Sequence, residues 1–492
     1  MPSFDPVIAL QRFGLGARPG DVARIAPDPR AALQAEVETP GVALLQAKRL
    51  PDAAAAIAEV RTARQERRRE REAEKAASDA EMAGDDMEEA ADLAELEAMG
   101  AESGEMSDAE MAEEDEGRDK RRGGSPQQRI YRQEVAARIG RALDADIGFA
   151  ERLVAFWANH FAIQANSMQV VRAAAGAYER EAIRPHVFGR FEDMLIAATQ
   201  HPAMLIYLNN ARSIGPNSRA GRRQEKGLNE NHAREILELH TVGVDGGYTQ
   251  DDVIAFARAL TGWTVELSPK RTETLGRFRF ARRRHEPGDQ IVMGVTYPEG
   301  DVEQGEAILR DLARHPATAR HIATKLARYF VADQPPPSLG ERLAAVFRET
   351  DGDLKAVSLA LIDSEEAWGP MTKLKAPQEF LWSSIRALGV EIRPQLAMKG
   401  LKTLGQPLWD PPSPQGFPDD RTAWLAPDAL TNRLDVLEEI VAEAPGNEDP
   451  SELLLDILGP DVSEETRQAV ERAESREQGL ALMLMSAEFL RR

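Results

Sequence analysis

The chain has 492 residues, 42% of them apolar and 29% charged, with a formal net charge of -21 and no cysteine. That length allows two or three domains or one large one, with a core that needs no disulfide or metal staple. The missing cysteines exclude thiol nucleophiles, thiolate metal sites and disulfides together, and the absence of surface-wide basic charge argues against nucleic acid as a partner.

The acidity is local. Between Asp79 and Glu116 there are 17 acidic residues and no Lys or Arg, which leaves about -4 for the rest of the chain. The start, Met1-Pro-Ser-Phe-Asp-Pro-Val, lacks a basic n-region and a continuous apolar run, so cytoplasm is the default expectation. No run of about 18 apolar residues is present, so no membrane span is expected.

Residues 4–20 carry glycines at 14, 16 and 20 in a G-x-G-x-x-x-G spacing with no βαβ pattern after it. This predicts a turn between helices and not a dinucleotide site. Asp28-Pro29 opens a helix through Leu33 and Val37. From 53 to 125 the composition changes: Arg61–Lys75 reads as a solvated Arg/Glu helix, and the acidic run after it has no aromatic residue with which to offset its ordering entropy. The expected organisation is therefore N-terminal helices over 1–52, a charged and partly disordered insertion over 53–125, and a main helical domain over 126–492.

Residues 147–162 read as a helix with Phe149, Leu153, Phe156, Trp157 and His160 on one face. A histidine beside Trp157 and Phe161 is either a hydrogen-bonded core residue or a ligand. A loop over 209–227 gathers Arg212, Arg219, Arg222, Arg223 and Lys226 ahead of the next helix; it is a solvated loop or a receiver of anions. On that helix, Asn231, Arg234, Glu235 and Glu238 share one arc. His232, Ala233, Ile236, Leu237, Leu239 and His240 fill the other side. Thr249–Asp252 fits a capping box for a helix striped with Val253, Phe256, Ala257, Leu260 and Trp263.

Arg277–Phe280 and Gln290–Tyr297 are strand-like, which predicts one hairpin with His285 at its turn. Helices are expected over Pro316–Val331, over Leu343–Trp368 and after Pro377. Five prolines within 404–418 exclude regular structure there and predict an ordered loop packed through Trp409 and Phe417. The fold class expected is all-α: a large multi-helix domain with one small β-hairpin and a low-complexity acidic insertion.

No Walker loop, nucleophile elbow, H-E-x-x-H or zinc spacing is present, and no cofactor is implied. The candidate catalytic residues are Glu235, Glu238, Arg234 and His160. The candidate substrate-binding residues are Asn229, Asn231, His232, Trp157, Trp263 and His285. Paired carboxylates are the minimum equipment for glycoside hydrolysis, and His with carboxylate is also a divalent-metal donor set, although no metal site is assigned.

Several segments together resemble a known family. They are Val7–Arg12 with Phe13-Gly-Leu-Gly16, Phe156-Trp-Ala-Asn-His-Phe161, Glu181-Ala-Ile-Arg-Pro-His186, His201-Pro-Ala-Met204, Asn229-Glu-Asn-His-Ala-Arg-Glu235 through Trp263, Lys373-Leu-Lys-Ala-Pro377, Gly405-Gln-Pro and Trp424-Leu. The chain is similar to the bacterial family catalogued as domain of unknown function 1800, over nearly its whole length outside 53–125. The resemblance implies a mostly helical protein of no established activity, often encoded beside a second family (domain of unknown function 1501) that looks like alkaline phosphatases and sulfatases. His232 stands where many relatives have Tyr or Phe, and many relatives carry export signals.

Two readings follow. The chain is a partner or assembly factor for that phosphatase- or sulfatase-like neighbour, with the acidic insertion or the 404–418 loop as contact surface. Alternatively, it is a hydrolase acting on a glycan or other polar polymer through a carboxylate-lined cleft. Burial of Glu235 and Glu238 separates the two: if both are exposed, the hydrolase reading falls.

Overall fold

The computed structural model describes residues 4–46, 49–80, 124–223, 227–268, 270–446 and 448–492, and the side chains of 74–80 are not described. Most of the acidic run lies outside these residues. Within them the chain is mostly helical, and one contiguous apolar core runs from Ile8 to Phe489.

The helix starts are built as the residues dictate. Asp28 accepts from Ala31 N ahead of Pro29, and Thr249 and Asp252 close a reciprocal capping box. The two His-Pro-Ala starts share a device that composition does not reveal. The Nδ1 atoms of His201 and His315 accept from Ala203 N and Ala317 N at 3.2 and 3.1 Å, each with proline in the first turn. At the centre, the helix Gln169–Tyr178 is alanine-rich and buried on nearly all sides. Its small side chains let the helices Ala53–Ala80 and Pro126–Asp144 approach closely. Gly176 leaves no space for a methyl group, because a Cβ there would lie 2.4 Å from Glu134 Cβ. The helix Ala53–Ala80 buries Ala53, Ala56, Ile57 and Val60 in the core, then runs outward with exposed Arg and Glu.

The β structure differs from the expected single hairpin. Strand β1 (Trp263–Val265) pairs antiparallel with β2 (Phe278–Phe280), and β3 (Gln290–Val292) pairs with β4 (Val295–Tyr297). Met293 and Gly294 both have positive φ, which is the two-residue turn that matches strand twist, so 290–297 folds back on itself. The helix expected through Trp263 ends at Ala259. Gly262, at φ 86°, turns the chain into β1, and Trp263 is buried from a strand. The helix expected over 343–368 is also divided, into Pro337–Glu349 and Leu354–Asp363, because Asp351 and Gly352 take left-handed backbone. No helix among the described residues is long and apolar enough to cross a membrane.

Candidate functional site

The helix Phe149–His160 buries Phe149, Leu153, Phe156 and Trp157 on one side. Its other side carries Glu151, Arg152, Ala155, Ala158 and Asn159, and it walls a cavity of about 70 Å³, room for more than one water-sized group. Tyr329 faces this space from the helix Pro316–Phe330, and Glu379 and Trp382 from the helix Pro377–Leu388. The proline-rich segment closes it with Trp409, Phe417 and Asp419.

That segment is pinned to the body. Asn159 Nδ2 donates to the Phe417 carbonyl at 3.0 Å, and its Oδ1 accepts from Phe417 N at 2.7 Å. Tyr131 Oη donates to Leu408 O, and Trp409 Nε1 donates to Glu179 Oε2, both at 2.8 Å. Trp409 holds φ 54°, a left-handed conformation unfavourable for a bulky residue, which these contacts maintain. Gly416 is required because a Cβ there would sit 2.5 Å from Asn159 O.

The buried charges fall into two groups. In the first, Arg138 and Arg184 face Glu151 and Glu179 through contacts of 2.7–3.3 Å. Burial alone would raise Glu179, but Arg138, Arg184 and the Trp409 N–H outweigh it and hold its pKa below the usual value. In the second, Glu379 receives Arg492 Nε, and Arg152 Nη2 stands 3.0 Å from its Oε1. Burial is again overcome, here by Arg152 and Arg492, and Glu379 is pushed below the usual range. Asp419 goes the other way. Burial raises its pKa, and Lys373, at 3.1 Å, and Arg492 offset that only in part.

None of the residues proposed from sequence lines this cavity. Arg234 ties Glu230 at 3.0 Å, Glu238 at 3.5 Å and Gln250 at 2.9 Å along the outer side of 231–240. Glu235 is half-buried, its pKa raised by burial and by Glu238 against the pull of Arg234. Asn229 accepts from Asn231 N at 2.9 Å as a helix-start cap, and Asn231 is exposed. Trp157, Trp263 and His232 are core residues. Both ring nitrogens of His232 lack a hydrogen-bond partner, and burial lowers its pKa to about 3. His285 Nδ1 meets Thr261 O at 2.8 Å.

His160 belongs to a cluster beside the cavity. Its Nε2 lies 3.1 Å from the His240 carbonyl and its Nδ1 lies 3.0 Å from Lys325 Nζ. A carbonyl only accepts, so the proton is on Nε2, and Nδ1 accepts from the lysine. His321 Nε2 donates to Leu239 O at 3.1 Å, and its ring packs where Gly243 lacks a Cβ. Burial, then Lys325, His240 and His321, drive the His160 pKa well down. Lys325 itself is lowered to about 8 by burial and Arg328, with Asp419 opposing.

A model of the family described as protein of unknown function (DUF1800) matches residues 8–491. The chain belongs to that family. No curated protein and no solved structure matches it. In this DUF1800 chain, four of the segments that carry the family resemblance meet at the cavity. Leu15, Ala158, Asn159, Ala376 and Gln406 come from these four and all line it. Arg184 lies behind it in the first charge group, and Lys373 in the second. Sequence reasoning missed Glu151, Arg152, Glu179, Glu379 and Asp419. The available signal was charge set inside strongly apolar helices, as at Glu151-Arg152 between Phe149 and Leu153.

Proposed function

We propose that the DUF1800 chain is a hydrolase acting on a glycan or other polar substrate at this cavity. The observation that carries the reading is the pair Glu379 and Asp419, two carboxylates on one space with pKa values moved in opposite directions. Asp419, whose carboxyl burial raises, is the proposed acid, and Glu379, held ionised by Arg152 and Arg492, stabilises developing positive charge; that division of labour is what acid-catalysed cleavage of a glycosidic bond needs. Trp382 and Trp409 supply apolar walls for a sugar face, and Gln378, Gln406 and Asn159 supply amides.

The partner reading rests on the family resemblance. Its proposed contact loop, 404–418, spends Trp409 inside the molecule, bonded to Glu179. Co-purification with the phosphatase- or sulfatase-like neighbour would support it, and a clean monomer in that experiment would count against it.

The test is turnover on a panel of chromogenic glycosides and polysaccharides, with Asp419→Asn beside the wild type. A general acid is worth about 10²–10⁴-fold, so Asp419→Asn should lose at least 100-fold in kcat while melting within a few degrees of wild type. Absence of turnover on the whole panel, or full activity in Asp419→Asn, overturns the assignment.

A further inference from the structure

We propose that this cavity receives a small molecule bearing an oxyanion, whether a carboxylate, a sulfate ester or a phosphate ester, with Arg152 as its receiver and Lys325, behind the lining next to Asp419, as the group that takes up a proton. The inference rests on the proposed function for the location of the ligand and adds its chemical class.

Arg152 is 1% exposed and lines the cavity. Its guanidinium lies 5.0 and 5.5 Å from the Tyr329 and Phe330 ring centres, and its Nε has no hydrogen-bond partner. A buried guanidinium donor without an acceptor is costly, and a ligand oxygen would satisfy it.

The charge balance points the same way. In the first group Arg138 and Arg184 match Glu151 and Glu179, with the partly exposed Arg141 3.6 Å from Glu151. Around Tyr329 the cations are in clear excess. Arg152 and Arg492 share the single carboxylate of Glu379. Lys373 holds Asp419 and the partly exposed Asp333, at 3.1 and 2.9 Å. Lys325, one helical turn before Tyr329, has only Asp419 as an attractive charge. The buried Lys375 and Arg433 act on Glu379 as well, so the cations here outnumber Glu379, Asp419 and Asp333 whichever protonation state Asp419 holds. The groups facing Lys325 do not cancel this excess. They are His160 from 149–160, His240 from 231–240, and His321, Arg328 and Tyr329 on its own helix. A buried surplus charge is relieved by losing a proton or by gaining an anion. The depressed Lys325 pKa is the first route, and a bound oxyanion is the second. The two are linked: an anion in the cavity draws a proton back onto Lys325.

The test is isothermal titration at pH 8 with sulfate, inorganic phosphate, glucuronate and neutral glucose, at ionic strength matched with chloride. It is repeated in two buffers of different ionisation enthalpy to count protons. At least one oxyanion should bind saturably with net proton uptake, and the three anions identify the headgroup. Arg152→Gln should weaken binding at least tenfold. Lys325→Gln, which leaves the Glu379 pairs untouched, should keep binding but lose the proton uptake. No saturable binding of any oxyanion, glucose binding as tightly as glucuronate, or unchanged uptake in Lys325→Gln overturns the proposal. An oxyanion that binds without any glycan being cleaved sinks the hydrolase reading alone. Hydrolysis of neutral glycans with no oxyanion response sinks this one alone.

Discussion

His232 is fully enclosed, with neither ring nitrogen bonded, on the helix that the sequence places at the centre of the chain. Its folded pKa of about 3 lies below the unfolded value, so the unfolded state binds the extra proton and stability drains away as pH falls below about 6.5. His160, His240 and His321 are depressed too and add to the same acid slope. His232→Phe removes one of these groups and fills the space with carbon. Denaturant unfolding should show it more stable than wild type by about 1–3 kcal/mol at pH 7, with a larger gain at pH 5. A loss of stability at both pH values would mean that an unseen partner holds the imidazole. The burial of His232 and His240 was legible, since both fall on the apolar side of the helical wheel. The burial of Arg152 was not. Spacing places it on the polar strip of its helix, and a strip facing charged residues more than 200 positions later reads the same as one facing water.

Helix phase explains other differences at the scale of elements. Residues 236–240 take a wider, π-type turn, closed by Thr241 Oγ1 on Ile236 O at 2.7 Å, so the 100° step used to phase 231–240 drifts before His240. The same turn type recurs at 9–13 and 179–183, and it brings Arg12 and Glu179 into buried contacts. Helix existence was readable from periodicity and caps. The interruptions at Gly262 and at 350–353 were not, because one residue in left-handed backbone breaks a pattern whose hydrophobic spacing continues through it. The proline-rich segment is ordered, as Trp409 and Phe417 implied, and at Phe417 it is fastened by one amide. Asn159→Ala removes both bonds to Phe417. It should cost about 1–3 kcal/mol and open 410–418 to limited proteolysis, while Tyr131→Phe, losing one bond to Leu408, does so less. Equal protease resistance in Asn159→Ala and wild type would show that the segment is held elsewhere.

At the scale of the whole molecule, the net charge is concentrated in one stretch of sequence. Deleting 80–116 should remove most of the net negative charge and leave the melting temperature nearly unchanged, since that span offers almost no hydrophobic periodicity. Insoluble expression of the deletion would assign the segment a structural role. The rest is tied together by buried guanidiniums reaching across the chain. Arg12 donates to the carbonyls of Ala367, Gly369 and Pro370 at 2.6–2.8 Å, and Arg492 reaches Glu379 and Tyr329 O. Contacts between residues more than 350 positions apart form late, because each closes a loop of most of the chain before any bond compensates. Refolding from denaturant should therefore be slow. The cavity should be among the last features to appear, with Trp382 and Trp409 fluorescence trailing the recovery of helical signal. A polypeptide nicked in the 404–418 segment should stay whole while native, yet its separated halves should fail to regain structure alone.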